Sequence, residues 1–157
     1  MSSSYEELLQ GTPTARVSPG TRHEQILERL HRCVHASVAN LTSTALVAAR
    51  SAVRVAPDSI LRPDLALMTV PGSRLWLAAE IVNSEDHAPD TVIKKQIYEE
   101  IKIPRLWMLD PRYDNVEVYH ASPYGMMLKG ILAGSELLTE KLLPEFQISV
   151  EELFRAP

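Results

Sequence analysis

The sequence is short of most features that would declare a function outright. It has a single cysteine, Cys33, which excludes an internal disulfide and any cysteine-rich zinc site and fits a reducing cytoplasm. No apolar run approaches the ~20 residues needed to span a bilayer. The opening Met1-Ser2-Ser3-Ser4-Tyr5-Glu6-Glu7 lacks the basic and apolar regions of a secretory signal. There is no Walker-type or dinucleotide glycine loop, and no nucleophile motif flanks Ser18, Ser84 or Cys33. His31, His35, His87 and His120 have no zinc-like arrangement, because the 31/35 pair lacks the glutamate and third ligand of a zincin. Positive charge is also scarce. The net charge of -4 argues against a nonspecific basic nucleic-acid binder. It leaves room for a metal-dependent nuclease, whose acids are neutralised by its ions.

What is present reads as one domain over residues 1–157. The length suffices for a real core, and 45% apolar and 23% charged residues are ordinary for a soluble protein. Residues 1–10 predict a short helix ended by Gly11 with Pro13 just beyond. Residues 11–20 read as loop or edge strand. Thr21 and Glu24 have capping-box spacing, and Ile26, Leu27, Leu30, Val34 and Val38 form an apolar stripe, so a helix is expected from Thr21 to about residue 40. Residues 45–55 are expected as a strand on the alternation of Val53, Arg54 and Val55.

Pro63 introduces a short buried strand over 64–70. The near-continuous apolar run 75–82 reads as a central strand covered on both faces. A helix starting at Pro89 or Asp90 and stopped by Pro104 follows, then strands at 105–109 and 116–119. Segments 125–131 and 136–143 look like a further strand pair, and Ser149 with Glu152 caps a final helix through Phe154. The order of elements suggests a mixed α+β (α/β) fold, a sheet with helices packed on it. Trp76, Trp107 and Tyr119 are expected in the core or an interface.

The chemistry concentrates between residues 62 and 98. Asp64 and Glu80 are acids on apolar strands, where an unpaired charge is costly to bury. Carboxylates on adjacent strands can hold magnesium through hard oxygens, and such an ion activates water and stabilises a phosphoryl transition state. Alternatively, Asp64 caps a turn after Pro63 and Glu80 pairs with an arginine. Asp90, Lys94 and Tyr98, four apart, share one helical face. A lysine there either orients a water beside a metal or belongs to a solvated face paired with Asp90. Glu7 and His23 read, taken alone, as surface or capping residues. Arg50 and Arg54 fall on one strand face, for phosphate contact or simply for solubility.

The succession Pro63-Asp64, Glu80, Asp90, Lys94, Tyr98, Leu106-Trp107-Met108-Leu109-Asp110-Pro111 and Val116-Glu117-Val118-Tyr119 resembles the Uma-two family (domain of unknown function 820) of endonucleases. So do Tyr5-Glu6-Glu7-Leu8-Leu9-Gln10-Gly11 with His23 opening a helix, and Leu143-Pro144-Glu145-Phe146 with Glu152-Leu153-Phe154. The family sits in the PD-(D/E)xK nuclease superfamily. The resemblance implies a restriction-endonuclease-like core, a mixed central sheet flanked by helices. It implies a catalytic set of Asp64, Glu80 and Lys94, with Mg2+ or Mn2+ held by Asp64, Glu80 and Glu7, and with Glu7, Tyr98 and His23 in support. The superfamily's usual lysine position, two residues after the second acid, is Val82 here, and the family carries its lysine on the following helix, where Lys94 stands. Asn83 and Leu106 depart from the family's serine and tyrosine, touching the loop and substrate contacts rather than the acids. DNA is the implied substrate, and a homodimer the implied assembly for cutting both strands. The competing expectation is a catalytically inactive nuclease-fold module that binds nucleic acid or protein.

Overall fold

The computed structural model describes residues 4–156. Tyr5–Leu9 (β1) and Thr12–Arg16 (β2) pair antiparallel through a two-residue turn at Gln10-Gly11, both at positive φ. The expected N-terminal helix is therefore a hairpin, and residues 1–3 of that expectation lie outside the described residues. Glu6-Glu7-Leu8-Leu9 has helical propensity, but burial falls on every second residue, Glu7 and Leu9, and the turn geometry selects a hairpin. Thr21–Val38 (α1) forms as expected, although the capping box does not. Gly20 occupies the cap position without a side-chain bond, and Glu24 is drawn away to Arg50.

The strand expected over 45–55 is two strands in two sheets, Thr44–Val47 (β3) and Val53–Ala56 (β4). Arg50, at φ +57, turns the chain between them. Next come Ser59–Leu61 (β5), Leu65–Thr69 (β6) and Leu75–Ile81 (β7). The expected helix after residue 88 begins as a π-helical turn, Pro89–Lys94, and continues as Lys95–Glu100 (α2). Arg105–Asp110 (β8), Asn115–Ser122 (β9), Gly125–Ala133 (β10), Leu137–Glu140 (β11) and Leu143–Ser149 (β12) precede Val150–Phe154 (α3). The expected pairing of 125–131 with 136–143 is not formed. β10 pairs with β9, and β11 with β12, a strand the sequence left unassigned. The final capping box is present, with the Glu152 amide donating to Ser149 Oγ at 3.2 Å.

The strands make a six-stranded sheet ordered β10-β9-β8-β7-β6-β3, a four-stranded sheet ordered β2-β1-β5-β4, and the β11-β12 ribbon. In the six-stranded sheet β7 and β8 run parallel and the other neighbours antiparallel. This is the mixed α+β architecture expected. Along β7, Leu77, Ala79 and Ile81 pack into the core shared with α1 and α3. Ala78 and Val82 pack into a second core with Ile97, Tyr98, Leu9 and Leu61. Strand alternation gives Glu80 the phase of Ala78 and Val82. It therefore faces α2 and the small sheet. Asp64 stands one step beyond the Leu65–Ala79 pair, across the ladder from Glu80.

Candidate active site

Lys94 is the centre of the cluster. It is wholly buried, and its ammonium lies 2.8 Å from Glu7 Oε2 and 2.7 Å from Glu80 Oε1. Three elements deliver these groups: β1 brings Glu7, β7 brings Glu80, and the π-helical turn brings Lys94. Single π turns inside helices recur at functional sites because they re-aim a side chain. One helical turn on, Tyr98 donates its hydroxyl to Glu80 Oε2 at 2.5 Å. Tyr98 thus supports Glu80 rather than Lys94 itself.

Each neighbouring charge is pinned in turn. Arg16, buried, donates to Glu7 Oε1 at 2.6 Å and Asp90 Oδ1 at 2.9 Å, and reaches Asp86 at 3.3 Å. Asp90 Oδ2 accepts the Asn83 amide at 3.1 Å, which ties the start of the π-helical turn to the end of β7. Glu7 Oε2 also accepts the Arg62 amide at 2.7 Å.

Asp64 belongs to the other half of the cluster. Its Oδ2 accepts the Ile81 amide at 2.7 Å and its Oδ1 accepts Arg50 Nε at 3.1 Å. His23 Nε2 lies 2.9 Å from the Ile81 carbonyl and 3.6 Å from Asp64 Oδ2. A carbonyl only accepts, so Nε2 donates to it. The Arg50 guanidinium only donates, so His23 Nδ1, 3.3 Å away, accepts from it. Arg50 also binds both carboxylate oxygens of Glu24. A cleft of about 310 Å3 opens beside His23, lined also by Arg22, Asn83, Ser84 and Pro111.

Burial drives the proton energetics. Glu80 is pushed up to about 8 by burial, with Asp64, Glu7 and Asp90 adding to the rise and Lys94 opposing it. Burial alone would pull Lys94 down, but Glu80, Glu7 and Asp90 outweigh it and hold the ammonium charged. Burial also raises Asp90 against the pull of Lys94 and Arg16.

The structure brings Glu7, Glu80, Lys94 and Tyr98 into direct contact and sets Asp64 and His23 beside them. Arg16 was not expected in the site, and Arg50, expected on a strand face with Arg54 for phosphate contact or solubility, stands in a turn and grips Asp64 and Glu24 instead. Their partners lie up to 74 and 27 residues away, and no local spacing marks them. Among the described residues, no three His, Cys, Asp or Glu side chains stand close enough together to hold a metal ion. The donor chemistry nevertheless suits one. The buried carboxylates Glu7, Asp64, Glu80 and Asp90 face only two buried cations, Arg16 and Lys94. Adding the mutually paired Arg50 and Glu24 leaves the excess unchanged. Fully ionised, these four carboxylates would carry two negative charges in excess. The proton that burial keeps on Glu80 relieves part of this in the ion-free protein, and one divalent cation, which needs only one or two carboxylates alongside water and phosphate, would relieve all of it.

The fold has a counterpart among solved structures. It is similar to a crystal structure described as a putative nuclease belonging to DUF820 from Anabaena variabilis ATCC 29413, with a TM-score of 0.76 at 15% sequence identity, covering 95% of this chain and 89% of that one. The family pattern described as Uma2, "Putative restriction endonuclease", matches residues 3–151, and the chain belongs to that family. No curated protein matches the sequence. Family and fold together support a nuclease function.

Proposed function

We propose that the chain is a divalent-metal-dependent endonuclease that hydrolyses DNA phosphodiester bonds at Asp64, Glu80 and Lys94. The observation that carries the reading is a buried lysine ammonium clasped by Glu7 and Glu80, across the β6–β7 ladder from Asp64. Asp64 and Glu80 would hold magnesium or manganese. Such an ion supplies Lewis acidity toward the scissile phosphate and the attacking water.

The remaining roles follow from charge and contact. Lys94 stays protonated between two acids, so it serves as a fixed cation and hydrogen-bond donor, not as a base. It orients the water and offsets charge developing on the phosphate. Glu7 was expected among the metal ligands. Its oxygens are held by Arg16, Lys94 and the Arg62 amide, so beside any share in the ion it positions Lys94. Tyr98 fixes the rotamer of Glu80. His23 braces the end of β7 against Asp64.

One observation favours the second reading, a nuclease-fold binding module without catalysis. Every carboxylate oxygen of Glu7, Asp64 and Glu80 already has a partner within the protein. Incubation of supercoiled plasmid with the protein in Mg2+ or Mn2+, against an EDTA control, separates the two. The nuclease predicts ion-dependent nicking that falls by about 10²-fold or more in Lys94→Met, the loss typical of removing one preorganised transition-state donor. Intact plasmid with either ion, from protein shown folded by circular dichroism, leaves the binding module as the reading.

A further inference from the structure

We infer that Arg50 is a built-in counter-ion for Asp64, held in reserve by Glu24, and that it sets how tightly the site takes a divalent cation. The inference rests on the metal-site reading above and concerns a residue outside the proposed ligand set.

Arg50 sits at φ +57 in the turn between β3 and β4. A non-glycine residue adopts that conformation at a cost, and such outliers persist where surrounding contacts over-determine them. The backbone contacts and Nε lead to Asp64 and the two residues before it. The Arg50 amide donates to the Pro63 carbonyl at 2.9 Å, Arg62 donates to the Arg50 carbonyl at 3.1 Å, and Arg50 Nε donates to Asp64 Oδ1 at 3.1 Å. The other two guanidinium nitrogens go to the two oxygens of Glu24, in the first turn of α1. All three nitrogens thus have carboxylate partners. The guanidinium is not a fork held open for a phosphate.

A divalent ion at Asp64 meets this positive charge directly. The two cations compete for one carboxylate. A buried or half-buried guanidinium that lost its only partner would oppose loading strongly. Arg50 does not face that loss, because its two-point grip on Glu24 remains when Oδ1 is given up. In the ion-free protein Arg50 neutralises Asp64, and on loading its charge is carried by Glu24 alone. A purely positioning arginine makes the opposite prediction: its removal would loosen Asp64 and weaken ion binding.

Mn2+ titration followed by electron paramagnetic resonance, with no DNA present, decides the sign. Arg50→Met is expected to lower the Mn2+ dissociation constant by about tenfold or more, since removing one unit charge roughly 6 Å from a divalent ion has that effect even at water's dielectric. Arg50→Lys is expected to stay near wild type. Glu24→Gln, a change at a partly exposed residue, is expected to raise the constant in the wild-type background, and by clearly less beside Arg50→Met, where only the direct loss of its charge remains, a non-additivity that marks the coupling. It tests the inference even if Arg50→Met does not fold. An unchanged or weaker affinity in Arg50→Met, or an unchanged one in Glu24→Gln, with wild type binding, overturns the inference and leaves the nuclease reading intact. Absence of Mn2+ binding from wild type and every variant, in a repeat with DNA added as well as without it, overturns both.

Discussion

Glu80 and Lys94 are each expensive to bury, and each makes the other tolerable. Glu80 is 2% exposed and Lys94 is wholly buried, so either charge alone would cost several kcal/mol. Lys94 is shared between Glu80 and Glu7, and Glu80 keeps a net push upward to about 8 from burial and the nearby acids. The unfolded chain loses this proton near the ordinary carboxylate value of ~4.3. Between the two values the folded protein holds a proton that the unfolded chain has lost. This group's contribution to stability therefore falls as pH rises toward 8. In EDTA, the urea midpoint of the wild type is expected to drop between pH 5.5 and 8.5, and Glu80→Gln to flatten the drop. Equal slopes in the two proteins would remove Glu80 as the cause. Asp64 and Glu80 were legible in the sequence because an acid inside an apolar run is costly. Arg50 was not, since its role depends on a turn that brings residues 24, 50 and 64 together.

At the scale of elements, the site is held where β1, β2, β7 and the π-helical turn meet, and Arg16 fastens them. Its guanidinium joins Glu7 of β1 to Asp90 of the turn. Arg16→Met leaves buried Asp90 without a cation and Glu7 with Lys94 alone, a change that costs ~3–5 kcal/mol. The expected result is a urea unfolding curve shifted by that amount, with Lys94 less firmly placed. A loss below ~1 kcal/mol would show that Arg16 does not fasten the cluster. This junction was partly legible. The helical spacing of Asp90, Lys94 and Tyr98 predicted a common face. Lys94 and Tyr98 do converge on Glu80, while Asp90 turns to Arg16 and Asn83. The N-terminal hairpin was not legible. Gly11 suits a helix end and a hairpin turn equally, and the pairing that decides between them comes from β5, some 50 residues away.

For the whole molecule, the six-stranded sheet separates two cores, and the acids lie on the side closed by α2 and the small sheet. That β7 is a central strand covered on both faces was readable from its near-continuous apolar run. The division of residues 44–56 between two sheets was not, because Val-Arg-Val alternates identically in either sheet. No helix among the described residues is long and apolar enough to cross a membrane. The crowding of four buried carboxylates, Glu7, Asp64, Glu80 and Asp90, around Arg16 and Lys94 is a property of the assembled molecule, since its members come from strands and turns spread between residues 7 and 94. It leads to the claim on which the rest depends, that Asp64 and Glu80 together take a divalent ion. Calorimetric titration of the purified protein with Mn2+, beside an Asp64→Ala/Glu80→Ala double variant, tests that claim most directly. Saturable binding by the wild type, lost in the double variant, is expected. Equal binding by both proteins, or none by the wild type with or without DNA, would contradict it.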